Sequence, residues 1–185
     1  MKSHLVQNKL PYDGTQLSSL WAYKTFGIQG DSIIAFRGPC QVKLEHMVDQ
    51  EDVLAGDHIY SEDMMHFIAE HFELDLEKTV IRQRLLITII KEVLERNPAV
   101  KLRRDGDDIY LGEDKLSVSI ATLTRVSTMI HTGLNISSRN TPVATVSLPE
   151  LGVEDWESFA HDVVQAYCEE LESIKLARCK VRGVD

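Results

Sequence analysis

Two neighbouring segments alternate with the period of a strand. Leu116, Val118 and Ile120 alternate with Ser117, Ser119 and Ala121. Further on, Thr128, Ile130, Thr132, Leu134 and Ile136 take one side, while Met129, His131, Gly133 and Asn135 take the other. A period of two sends successive side chains to opposite faces of a sheet, so the pattern predicts two strands. Paired as a hairpin across residues 122 to 127, they would gather Lys115, Ser117, Ser119, His131 and Asn135 on one face. Ala121 and Gly133 would floor a pocket there, and small residues leave room for a ligand.

The rest of the pattern frames this unit. A turn at Pro11 and Asp13-Gly14 precedes a helix expected over 15–26, with Leu17, Leu20 and Trp21 facing the core. The apolar run 32–36 reads as a buried strand, delivering Arg37-Gly38-Pro39-Cys40 at its end, and 41–48 reads as a second strand. Ser61, followed by Glu62 and Asp63, has the form of a helix start, which predicts a helix to about Phe72. A longer helix is expected from Asp75 to Asn97, where Pro98 stops it, and its apolar residues cover more than one stripe. Short strands are expected over 99–103 and 143–148. A final helix follows, carried by Trp156, Phe159, Val163, Val164, Tyr167 and Leu171 and ending near residue 177. Helices alternating with short strands predict one α+β domain spanning 1–185, with a mixed or mostly antiparallel sheet packed with helices.

Composition narrows the function classes. A chain of 185 residues, 43% hydrophobic, is long enough for one substantial core. Twenty basic against 29 acidic side chains give a formal charge of -9, which repels a phosphate backbone and disfavours nucleic acid as a partner. Cys40, Cys168 and Cys179 lack zinc spacing and read as reduced thiols of a cytoplasmic protein. The run 85–90 is far shorter than the roughly 18 apolar residues of a membrane span, and Met1-Lys2-Ser3-His4 is not followed by a signal-type apolar stretch, so no membrane association is expected.

The segment Asp107-Asp108-Ile109-Tyr110-Leu111, a tight turn and then Lys115-Leu116 resembles the stretch of biotin and lipoate protein ligases that reads Asn-Asp-Ile-Tyr, turn, Lys-Leu-Ala-Gly. His131-Thr132-Gly133-Leu134-Asn135-Ile136 resembles the Gly-Ile-Gly-Ile-Asn-Val that closes the same unit, and the Ala-Leu-Asn-Val of lipoyl (octanoyl) transferases. Through Tyr12-Asp13-Gly14, the 36–40 segment and the 46–52 segment, the whole chain is similar to a prokaryotic family designated domain of unknown function 366. The resemblance implies the biotin/lipoate ligase fold, shared with class II aminoacyl-tRNA synthetases. It also implies a pocket for a small carboxylic acid or an activated acyl group, with ATP and magnesium as cofactors and a carrier protein as acceptor.

Residue by residue, the resemblance makes Lys115 the group that stabilises charge on an acyl group or adenylate phosphate, a role suited to a point-charge ammonium. The plainer reading is a solvated hairpin turn. Asp108 matches the ligase aspartate, a candidate for a ribose or magnesium contact, while Asp107 replaces the asparagine and reads rather as part of a charged turn after Gly106. Arg37 and Gly38 stand at a strand end where a backbone can approach a ligand. Arg37 is either a carboxylate or phosphate anchor or a partner for an internal carboxylate. Neither Gly-Arg-Gly-Arg-Arg-Gly nor Arg-Arg-x-Ser-Gly-Gly-Gly occurs, so the usual adenylate clamp is missing. The transferase Pro-Cys-Gly is replaced by Pro149-Glu150-Leu151-Gly152, and no sequence neighbour of Cys40 identifies a base for its thiol.

Asp49, Glu51, Asp52, Asp57 and His58 form an oxygen-rich loop, either a magnesium site or a solvated loop. Glu62, His66 and Glu70 share a face of the expected helix without a second histidine to complete a metal site. His131 reads as a ligand contact or a satisfied core histidine. Two function classes follow: an acyl-activating or acyl-transferring enzyme acting through Lys115, Arg37 and Asp108, or a ligand-binding module that kept the pocket and lost catalysis. A homodimer whose partner supplies the missing loop is compatible with either.

Overall fold

The computed structural model describes residues 1–56 and 58–184. A five-stranded sheet forms the centre. Its strands β1 (Lys2–Leu5), β2 (Ser32–Val42), β3 (Ile59–His71), β7 (Ser117–Leu123) and β8 (Thr128–Asn135) lie in the order β1-β2-β3-β8-β7. Only the β1–β2 pair is parallel, so the sheet is mixed. A small antiparallel sheet, β4 (Arg103–Asp105), β5 (Asp108–Leu111) and β6 (Asp114–Lys115), carries the motif around Lys115.

Two long helices cover one face. Helix α3 (Leu76–Leu94) starts where the Asp75 carboxylate accepts the Lys78 N–H and ends shortly before Pro98. Helix α4 (Trp156–Ala177) starts at Asp155, which accepts the Ser158 N–H in the same way. Ile33, Phe67, Ile130 and Leu134 of the sheet pack against Leu86 and Ile90 of α3 and Phe159, Val163 and Tyr167 of α4. The other face is covered thinly, by the N-terminal segment, α1 (Trp21–Phe26) and α2 (Gln50–Ala55), over Ile34, Phe36, Met64, Ile68 and Met129. Each large apolar side chain fully buried stabilises by roughly 1.5–3 kcal/mol. The helical face, which buries the larger number, carries most of that energy and leaves the opposite face free to be hollow. Among the described residues no helix is long and apolar enough to cross a membrane.

The hairpin, α3 and α4 lie where the hydrophobic pattern placed them; other segments differ. The expected helix from Ser61 to Phe72 is β3, an inner strand paired on both edges. Residues 64–71 are buried on both faces, which erases the alternation that marks a half-buried strand. Its polar members are satisfied from outside the strand: the Glu70 carboxylate accepts the Leu20 N–H at 2.8 Å and the Ser127 hydroxyl at 2.7 Å. The helix expected over 15–26 begins only at Trp21, because Leu20 takes a left-handed φ of 64° to present that N–H to Glu70. Strand β2 runs through Pro39 to Val42 with a bulge between Gly38 and Cys40, and Leu44–His46 is a short 3-10 turn rather than a strand. The strand expected over 99–103 starts only at Arg103. The one expected over 143–148 is reduced to a bridge between Thr145 and Lys115.

Beyond β1 the chain continues along β2. Val6 donates its N–H to Ala35 O, Leu10 to Arg37 O and Tyr12 to Pro39 O, each at 2.9 Å. This path needs Gly38: a Cβ there would lie 2.0 Å from the Leu10 carbonyl oxygen, which is backbone and cannot swing aside. Gly38→Ala is therefore expected to cost about 1–3 kcal/mol. Urea unfolding of the variant, followed by tryptophan fluorescence, checks this; an unchanged midpoint would show that the segment does not need the close approach.

Candidate functional site

On the thinly covered face lies a cavity of about 540 Å³, within the range of small-ligand sites. Met64, Val118, Ile120 and His131 line it from the sheet. Val42, Met47 and Tyr60 line it from the segments flanking α2, and Pro142, Val143 and Thr145 from the loop after β8. Its charged lining includes Lys115, Asp107, Asp108, Asp49 and Asp52.

Strand register decides which predicted residues enter. Ser117 pairs with Leu134, Ser119 with Thr132 and Ala121 with Ile130, whereas Val118 pairs with Gly133 and Ile120 with His131. Directly opposed residues share a face, so the serines and Ala121 point toward α3, and the greasy face of β7 joins His131. The expected gathering of serines and His131 on one face is thus corrected. Both serines still border the cavity, but their hydroxyls are committed to the scaffold. Ser117 Oγ accepts the Ile109 N–H at 2.9 Å, and Ser119 Oγ accepts from Gln83 Nε2 of α3 at 3.0 Å. Gly133 does face this side, but Met64 fills its space: a Cβ on Gly133 would stand 3.0 Å from Met64 Cε.

Lys115 is clasped from both sides. Its N–H donates to Ala144 O, its carbonyl accepts the Val146 N–H, and Asn135 Nδ2 donates to the same carbonyl at 3.2 Å. The loop after β8 and the end of β8 therefore aim this lysine. Its ammonium lies 2.9 Å from Asp108 Oδ2. Burial raises the Asp108 carboxyl above its ordinary value, outweighing the attraction of Lys115 that would lower it, so the pair is half-desolvated rather than a solvated turn. Asp107 accepts from Gln83 Nε2 at 2.7 Å, a tie to α3.

Arg37 stands elsewhere. It has the parity of Ile33 and Ala35, which face the helices, and its guanidinium lies 5.5 Å from the Trp156 ring centre at the start of α4. It grips Asp63 through Nε and Nη2, at 3.0 and 2.7 Å from Oδ2. Burial alone would raise the Asp63 carboxyl, but hydrogen bonds from Arg37 and Lys9 hold it below its ordinary value. Arg37 borders a separate hollow with Glu62, Ser137 and Arg139. The expected pocket shared by the hairpin and the Arg37 loop does not form, and Arg37 is the partner of an internal carboxylate. Gly38 serves the N-terminal segment rather than a ligand. Cys40 is buried, and burial pushes its thiol up to about 12, far from a thiolate at neutral pH.

Two residues stand against His131 in a way the sequence did not foretell. His66, assigned to a helix, lies on β3 with its Nδ1 3.0 Å from His131 Nε2 and its Nε2 3.2 Å from Gly38 O. Tyr12 stacks on His131 with ring centres 3.7 Å apart and planes 10° from parallel. Burial pushes His66 down to about 4 and His131 well below its ordinary value, so both rings are neutral at neutral pH. In the sequence Tyr12 stood out only within Tyr12-Asp13-Gly14, and nothing there joined it to the histidines. Of the oxygen-rich loop, Asp49 caps α2 by accepting the Glu51 N–H, Asp52 borders the cavity, and Asp57 lies outside the described residues. Among the described residues no three histidine, cysteine or acidic side chains converge to hold a metal ion, and Glu62, His66 and Glu70 form none.

The architecture around this cavity is that of biotin and lipoate protein ligases. The chain matches biotin protein ligase from Aquifex aeolicus with a TM-score of 0.60 at 17% identity, covering 95% of this chain and 71% of that one. It matches protein Ta0514 from T. acidophilum, a proposed lipoate protein ligase solved with bound lipoic acid, with a TM-score of 0.61 at 11% identity, covering 93% and 86%. Within that architecture the family is a narrower one. Residues 1–182 match the family described as Domain of unknown function (DUF366), and the chain belongs to it. It is 41% identical over 176 residues to uncharacterized protein MJ0805 of Methanocaldococcus jannaschii, covering 92% of this chain and 79% of that protein. A protein of unknown function from Pyrococcus horikoshi superposes with a TM-score of 0.92 at 40% identity, each chain covered completely.

The buried histidines make stability depend on pH. Unfolded, each takes a proton near pH 6.5; folded, His66 resists until about 4, and His131 and His71 are also lowered by burial. The unfolded chain thus binds protons that the native one refuses, and stability present above about pH 6.5 is lost as pH falls toward about 4. Each histidine contributes at most about 1.4 kcal/mol per pH unit in that window. Denaturant titrations from about pH 7.5 to 5 should show this slope, flattened in a His66→Gln/His131→Gln variant; a variant that keeps the full slope would acquit the pair.

Proposed function

We propose that the protein binds a small carboxylic acid, or the activated acyl form of one, in the cavity beside Lys115. The observation that carries this reading is the Lys115 ammonium, clasped by its backbone at the border of a 540 Å³ cavity. An ammonium has three N–H donors. Asp108 takes one, and the others are available to an anionic group. The fold supports the reading: solved neighbours of this architecture include a biotin protein ligase in complex with biotin and ATP and a protein with bound lipoic acid. In turnover Lys115 would stabilise negative charge on the acyl oxygen or an adenylate phosphate, with Asp108 as the ribose or magnesium contact, ATP and magnesium as cofactors and a carrier protein as acceptor.

A second reading, a binding module without catalysis, is favoured by a specific observation. Arg37, offered by the resemblance as a carboxylate or phosphate anchor, is engaged by Asp63 outside the cavity. Pro149–Leu151 is a short 3-10 turn with no thiol, and Cys40 is buried.

Thermal shift separates the two. The purified chain is heated with magnesium-ATP, with biotin, lipoate or octanoate, and with each acid plus ATP, all repeated on Lys115→Ala. An acid at about 100 times its dissociation constant adds roughly 2.7 kcal/mol, a rise of about 5–10 °C for this size. Such a rise that shrinks in Lys115→Ala supports the site; dependence on ATP and acid together supports the enzyme, an acid effect alone the module. No acid effect in the wild-type chain would refute the proposal.

A further inference from the structure

The histidine pair leaves a polar atom unused. His66 Nε2 faces the Gly38 carbonyl, which can only accept, so that nitrogen carries the proton. In a neutral ring His66 Nδ1 then has a lone pair, and it lies 3.0 Å from His131 Nε2, which must donate to it. His131 Nδ1 is left without a proton. Among the described residues it has no hydrogen-bond partner, although His131 is 97% buried, being 3% exposed, and borders the cavity. Tyr12 covers one face of the ring and keeps it from turning. That nitrogen is not among the side-chain atoms sealed from solvent without a partner, so it opens to the cavity, where a ligand with a donor would take the place of water.

Position adds a length. His131 is opposite Ile120, and five residues separate Ile120 from Lys115, up to about 16 Å of extended chain at roughly 3.3 Å per residue. The ends of the cavity thus have opposite demands: an ammonium donating at one, a lone pair accepting at the other. The sheet floor between them is apolar, from Val118 and Met64.

We infer that the ligand is an elongated molecule with an apolar middle that presents an N–H or O–H donor to His131 Nδ1 at the end remote from Lys115. The inference rests on the carboxylic-acid reading only for the group at the Lys115 end. The His131 end makes its own demand: neutral molecules with a donor bind better than those without one, and acceptor-only groups are rejected there because two lone pairs would meet.

Two measurements test this. Side-chain 15N NMR of the ligand-free chain at neutral pH should show both His66 and His131 as Nε2–H tautomers; a protonated His131 Nδ1 would overturn the inference. Calorimetry then compares ω-hydroxyoctanoate with ω-methoxyoctanoate, and octanol with octyl methyl ether, on the wild-type chain and on His131→Phe. The hydroxyl member of each pair should bind roughly tenfold tighter than its ether, and the preference should vanish in His131→Phe. Equal binding within the neutral pair, including no response to either member, or a preference that survives in His131→Phe, would overturn it. Failure of both acids while octanol still outbinds its ether would count against the carboxylate at Lys115 and leave the His131 assignment supported.

Discussion

Much of this site depends on one missing methyl group. Because Gly38 has no Cβ, the backbone of residues 10–12 lies directly against β2, and that path lays Tyr12 over His131. The Gly38 carbonyl, on the same residue, accepts from His66 Nε2 and thereby sets the tautomers of two buried rings. A backbone approach, a stacked ring and a hydrogen-bond chain thus share one residue, and this is why a thinly covered face keeps a defined cavity. The helical face supplies most of the buried apolar packing and touches the site through Gln83, which donates to Asp107 and Ser119.

Fold and site were legible to different degrees for physical reasons. Helices α3 and α4 show their ends through Asp75, Pro98 and Asp155 and their cores through long apolar periodicity, so they could be read directly. The β7–β8 hairpin showed its alternation, but alternation does not say which face is hollow. The polar serines belong to the helix side, and the apolar Val118 and Ile120 line the cavity, because Gln83 and the Ile109 amide claim the hydroxyls. Strand β3 was illegible: burial on both faces removes the period of two, and Ser61-Glu62-Asp63 imitates a helix cap while Asp63 in fact holds Arg37. The His66–His131 pair depends on that strand pairing and leaves no local trace.

The likeness to biotin and lipoate ligases is one of fold. Arg37 turns toward Trp156 and Asp63, so the positive charge near the cavity rests on Lys115, itself moderated by Asp108. Acidic residues also line the cavity. Such a field suits a single carboxylate held by one ammonium better than an unscreened triphosphate.

The central claim is that a carboxylate sits at Lys115, in the cavity on the sheet face away from α3 and α4. A crystal structure of the protein grown with saturating octanoate tests it most directly. The account predicts the carboxylate about 2.8 Å from Lys115 Nζ, with the alkyl chain running over Val118 toward His131. Octanoate bound instead in the hollow beside Arg37 and Arg139, with the Lys115 cavity empty, would contradict it.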